Sequence, residues 1–133
     1  MTGLAPQSAE KKFRKRNRLL RHADFERVYK QGRRHCGSHI TVFYLLRDGE
    51  PEFAGPRIGF TVGKALGGAV QRNRMKRRLR ETVRLNAGSL QASADVVINP
   101  KRAVLTANFD DLQGEVVKAF RVIQTYSEKG KQR

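Results

Sequence analysis

Cysteine is nearly missing from this sequence, tryptophan is absent, and acidic residues are outnumbered more than two to one by basic ones. The single cysteine, Cys36, cannot form an intrachain disulfide, so the chain does not read as an exported, disulfide-stapled domain. Its thiol is expected to act as a small buried hydrophobe. No apolar run approaches the roughly 20 residues of a membrane span, and the first residues reach a basic run without the apolar stretch of a secretory signal. The expectation is a cytoplasmic protein with no membrane partner. A chain of 133 residues leaves room for one compact core and no second domain.

What is abundant is positive charge. The chain carries 28 Lys and Arg against 12 Asp and Glu, a formal charge of +16. Such an excess repels itself in a compact fold and draws polyanions, which makes nucleic acid the default partner. The excess is uneven: residues 1–86 hold 21 basic and 7 acidic side chains, and the remainder is close to neutral. The binding surface is therefore expected in the first two-thirds.

The organisation reads as two polar tails, residues 1–18 and 127–133, around one mixed α/β domain at 19–126. Phe25, Val28 and Tyr29 recur at helical spacing, which predicts a short helix over 23–31 stopped by Gly32. Residues 39–47 are rich in β-branched and aromatic types and predict a strand. Ile40, Val42, Tyr44 and Leu46 share one face of it, and Thr41, Phe43 and Leu45 the other. The acidic, Gly- and Pro-punctuated stretch 48–56 reads as a loop. A second strand is expected over 57–63, with Ile58, Phe60 and Val62 as its core face and Gly59, Thr61 and Gly63 as a face small enough for another chain to approach. After a glycine-rich loop at 64–68, a long helix is predicted over 69–86, then a short apolar strand over 95–99. A final helix is expected over 109–126, with Asn108 as its N-cap and a core stripe of Leu112, Val116, Ala119, Phe120 and Ile123.

The long helix carries the chemistry. Successive residues 100° apart place Met75, Leu79 and Val83 on a core side. Asn73, Arg77, Arg80 and Arg84 form a second stripe, with Lys76 beside it and Arg74 and Arg78 on the far flank. Between Gln71 and Arg84 stand seven basic residues and one acid, Glu81. A solvated helix face alternates its signs, and like charges four apart cost a few tenths of a kcal/mol per pair. This uncompensated stripe makes most sense against phosphates. The preceding glycine loop is neither a Walker motif nor a dinucleotide fingerprint. It reads equally as a phosphate-approachable helix start or as a plain turn.

No catalytic constellation is visible. A protein nuclease needs clustered carboxylates or a paired acid and base, whereas Asp48, Glu50 and Glu52 share one loop, and Asp110, Asp111 and Glu115 ride the last helix. His35, Cys36 and His39 lack a fourth ligand and match no common zinc spacing. His22 is simply part of the first helix's start.

The run Arg57-Ile-Gly-Phe-Thr-Val-Gly-Lys64, followed by Gly68-Ala-Val-Gln-Arg-Asn-Arg-Met-Lys-Arg-Arg-Leu-Arg-Glu81, closely resembles the signature of the bacterial ribonuclease P protein family, centred on Arg-Asn-Arg-x-Lys-Arg. Residues 15–32 resemble the family's opening segment, and Ala94-Asp-Val-Val-Ile-Asn-Pro-Lys101 resembles its last strand, so the likeness spans about residues 14–126. It implies an α+β fold, a single α-β-β-β-α-β-α sandwich like a ribosomal-protein domain. Its β-α-β crossover would be left-handed, against the right-handed form general in about 98% of cases. It also implies a role in tRNA processing: the non-catalytic subunit of a ribonucleoprotein endoribonuclease whose RNA carries the hydrolysis. By the same resemblance Lys64, Arg72, Asn73, Arg74, Lys76, Arg77 and Arg80 would bind the ribonuclease P RNA. Phe25, Tyr29, Thr41, Phe43 and Thr61 would line a cleft for the 5′ leader of precursor tRNA. Mg2+ would be held by the RNA, with no cofactor on the protein alone, and the protein would be monomeric within the holoenzyme.

One position departs from the pattern. Where the family often carries two consecutive lysines, Lys64 is followed here by Ala65. The residues themselves agree with a cleft, since rings one helical turn apart can stack on unpaired bases. A core role for both rings is the competing reading. A ribosomal protein or general RNA chaperone would share the charge and fold without explaining the ordered signature. A DNA-binding module would want a helix-turn-helix in place of the strand and loop before the long helix.

Overall fold

The computed structural model describes residues 21–47 and 55–131. The tail expected at 1–18 and most of the acidic loop at 48–56 lie outside the described residues. The chain runs α1 (His22–Gln31), β1 (Arg33–Cys36), β2 (Ile40–Leu46), β3 (Arg57–Phe60), α2 (Ala69–Leu85), β4 (Ala94–Pro100) and α3 (Phe109–Lys131), with short helical turns at Lys64–Leu66, Ala87–Ser89 and Arg102–Leu105. This is the expected α-β-β-β-α-β-α order.

The four strands form one sheet in the order β1-β2-β4-β3. The β1/β2 and β2/β4 pairs are antiparallel, while β3 and β4 are parallel and joined through α2. Parallel neighbours cannot be linked by a tight turn, so the helix is the connection the pairing requires.

Alternation along the strands makes two unlike faces. Ile40, Val42, Tyr44, Ile58, Val96 and Ile98 are buried with Met75, Leu79 and Val83 of α2 and Leu112, Val116, Phe120 and Ile123 of α3. Both long helices thus pack on one face and bury most of the apolar area that drives folding. The other face carries Thr41, Phe43, Leu45, Val97 and Asn99, and among the described residues only α1 rests on it, through Val28 and Phe25.

Several expectations shift. β1 has no apolar alternation, and pairing with β2 alone makes it a strand. Its Cys36 is exposed, not buried, because β1 is a short strand at the edge of the sheet among the described residues. The second strand closes at Phe60 instead of 63, although Thr61 N–H still donates to the Ile98 carbonyl. α3 runs to Lys131, past the tail boundary expected at 127. Tyr126 packs on Tyr44, Ser127 is buried, and Glu128 and Lys129 continue the helix well. At its start, Asn108 Oδ1 accepts from Asp110 N–H at 2.8 Å, the expected cap.

Gly32 ends α1 in extended backbone, φ −83° and ψ 174°, so it is not a left-handed stop. It is needed for close approach: a Cβ there would lie 2.5 Å from the Val28 carbonyl oxygen and 2.6 Å from that of Tyr44. Gly67, at φ 140°, is a true glycine conformation.

Candidate nucleic-acid interface

α1 crosses the thinly covered face at one end. Asp24 near its start lies 3.7 Å from Arg57 of β3, and Gly32 after its end abuts the Tyr44 carbonyl of β2. Phe25 is half-buried against Val28, Val97, Phe43 and Leu45, so its ring helps to plug the helix onto the sheet. Tyr29, 37% exposed, reaches the other way along the sheet. Its ring meets Phe43 edge-on, with centroids 4.9 Å apart. Its hydroxyl lies within hydrogen-bonding distance of Thr61 Oγ1, at 2.9 Å, and Asn99 Oδ1, at 3.0 Å, with one proton to donate between them. Thr41 sits opposite Asn99 in the β2/β4 register. The structure thus gathers Tyr29, Phe43, Thr61 and Thr41 around one floor, with Phe25 at its back wall. Asn99 joins them; as the single polar residue ending an apolar strand, it could have been read from the pattern. These side chains are rings and uncharged hydrogen-bonding groups, suited to holding an extended chain and not to acid–base chemistry.

Behind α1 lies a charged anchor that the sequence did not announce. Asp95 of β4 is fully buried and accepts from Arg57 at 2.8 and 2.9 Å, from Arg47 at 2.8 Å and from Arg27 at 3.3 Å. Arg27 also bonds Asp24 at 2.7 Å. Burial pushes the Asp95 carboxyl up, but hydrogen bonds from Arg57 and Arg47 outweigh it and hold the group below its ordinary value. One carboxylate therefore ties β2, β3 and α1 to β4, and fixes the helix that carries Tyr29.

On the opposite layer, Asn73, Lys76, Arg77 and Arg80 of α2 line one shallow depression with Glu81 and Arg84. Glu81 pairs with Arg84 at 2.5 Å, and that hydrogen bond lowers the Glu81 carboxyl. Glu81 is thereby spent on Arg84, and among the described residues no acid pairs with Lys64, Arg74, Lys76, Arg77 or Arg80. Arg72 is partly occupied, its Nε donating to the Gly67 carbonyl at 3.1 Å. Arg78 is different again, donating to the Ala107 carbonyl and so tying α2 to the segment before α3. Lys64 is exposed in the turn after β3, and Arg102 Nη2 holds the neighbouring Ala65 carbonyl at 2.9 Å.

His39 belongs to a structural pair. Glu115 of α3 accepts from the His39 and Ile40 backbone N–H groups at 2.8 and 3.0 Å, and its other oxygen lies 2.5 Å from His39 Nδ1. Burial raises the Glu115 carboxyl, and these bonds, led by the His39 ring, bring it below its usual range. Among the described residues, no group of three or more His, Cys, Asp or Glu is placed to hold a metal ion. No helix among them is long and apolar enough to cross a membrane.

The family model described as Ribonuclease P matches residues 13–124. The chain belongs to the ribonuclease P protein family. It is 43% identical over 108 residues to the ribonuclease P protein component of Mycobacterium avium (strain 104), covering 80% of this chain and 90% of that one. It is 37% identical over 116 residues to the component of Acidothermus cellulolyticus, covering 86% and 95%. The fold is that of the RNase P proteins of Staphylococcus aureus, with a TM-score of 0.68 at 24% identity over 81% of this chain and 95% of that one, and of Thermotoga maritima, at 0.67 and 23% over 77% and 94%.

Proposed function

We propose that this protein serves as the RNA-binding subunit of ribonuclease P in the cytoplasm, monomeric within the holoenzyme. In this reading α2 and the Lys64 turn hold the catalytic RNA through its phosphates, and the floor beside Tyr29 holds the 5′ leader of precursor tRNA. Hydrolysis that frees the mature tRNA 5′ end belongs to the RNA and its Mg2+. The observation that carries the reading is the pairing of two unlike surfaces on opposite layers of one sheet. One is a helix face on which, among the described residues, no acid pairs with Lys76, Arg77 or Arg80, matched to a backbone of phosphates. The other is an uncharged floor with a fixed ring, matched to unpaired bases.

Reconstitution with a bacterial ribonuclease P RNA tests it. The protein should restore cleavage of precursor tRNA at low magnesium, and should bind precursor in preference to mature tRNA only in the presence of that RNA. Cleavage by a nuclease-free preparation of the protein alone would overturn the assignment of chemistry to the RNA.

A further inference from the structure

β1 widens the open floor by a strand. Directly opposed residues of an antiparallel pair project to the same face. The register sets Arg34 opposite Phe43 and Cys36 opposite Thr41. Phe43 in turn faces Val97, and Val97 faces Gly59. One row across the sheet therefore reads Arg34, Phe43, Val97, Gly59. The next reads Cys36, Thr41, Asn99, with Thr61 alongside through the hydroxyl of Tyr29. The alternate residue Arg33 confirms the parity independently. It lies 4.6 Å over the Tyr126 ring, which packs on Tyr44 in the helix-covered layer. Four strands at their usual spacing make a floor about 14 Å wide.

Arg34 and Cys36 are both exposed, and among the described residues no acid pairs with Arg34. We infer that Arg34 is a phosphate-binding residue at the β1 rim of this floor, and that a single-stranded RNA lying on the floor crosses β2 and leaves over β1. The proposal rests on the reading of this face as the leader cleft. The physical ground is complementarity. Among the described residues, the two rows beside Tyr29 supply rings and neutral hydrogen bonds and, apart from Arg34, no charge, whereas every nucleotide laid on them brings a phosphate. Arg34 is the cation that the register places in the same row as Phe43, and its planar fork matches phosphate geometry.

The sole cysteine supplies a probe without any substitution. In holoenzyme reconstituted with a bacterial ribonuclease P RNA, alkylation of Cys36 by N-ethylmaleimide should slow several-fold when precursor tRNA with a long leader is added, and not when leaderless tRNA is added. Arg34→Gln should lower the ratio of long-leader to leaderless affinity about three- to tenfold, the modest size reflecting an exposed contact. It should also flatten the salt dependence of long-leader binding by about 0.7. Arg33→Ala, its neighbour on the other face, should leave that ratio intact. If Tyr29→Ala reduces the ratio while Arg34→Gln and Cys36 protection do not follow, the cleft stands and the β1 rim is wrong. If none of the three responds, the leader assignment of the whole face fails with it.

Discussion

Asp95 shows how much one side chain can decide. Removing it leaves Arg47 and Arg57 at a buried site without their carboxylate, so Asp95→Ala should cost about 3–5 kcal/mol in urea unfolding. The pH dependence follows from the same contacts. Asp95 and Glu115 both lie below their ordinary values in the fold. Their stabilisation is therefore complete above the unfolded values, near pH 4, and is lost as pH falls through the lower folded values. The urea midpoint should hold from pH 7 to about 5 and drop below about 4, with a shallower drop in Asp95→Asn. Gly32→Ala should destabilise by about 1–3 kcal/mol, because two backbone carbonyls cannot yield as a side chain would. Beyond Gly32 as a helix stop, none of this was legible in the sequence. An aspartate opening an apolar strand, three scattered arginines and a glycine after a helix are unremarkable until the sheet brings them together.

At the level of elements, the periodic segments were readable and the non-periodic one was not. Both faces of β2, the core side of α2 and the cap of α3 follow from spacing alone. β1 carries only Arg, Arg, His and Cys, and its identity as a strand exists solely in its pairing. The α2 stripe was read correctly as charge but not sorted by task. Arg77→Ala or Arg80→Ala should flatten the salt dependence of RNA-subunit binding by about 0.7–0.9 per contact while leaving the melting temperature unchanged or slightly raised. Arg78→Ala should instead lower the melting temperature, since that side chain ties α2 to the Ala107 carbonyl. On α1, Tyr29→Ala should cost about 1–3 kcal/mol in long-leader binding with little change in salt slope. Tyr29→Phe keeps the ring but loses the bonds to Thr61 and Asn99, and should fall between the two. Circular dichroism of each variant separates these losses from unfolding.

For the molecule as a whole, the charge of +16 is a standing strain on the free protein. Added salt screens self-repulsion, so the melting temperature should rise as sodium chloride increases into the range of a few hundred millimolar, even as affinity for RNA falls. The ordered motifs made the family and fold class legible, because they fix residue types at positions that spacing alone leaves free. How far α1 reaches over its face of the sheet was not legible in spacing, because that depends on contacts such as Asp24 with Arg57 and Gly32 with Tyr44, which only the assembled sheet brings together. The strand order has a last consequence, for the timing of synthesis. β4 is the partner of both β2 and β3, yet it is the last strand to be made. Until it emerges from the ribosome, β1 and β2 can pair only with each other, and β3 and the arginine-rich α2 have no sheet to join. Completion of the sheet is therefore deferred until most of the chain exists, and through that interval the excess charge of residues 1–86 opposes collapse.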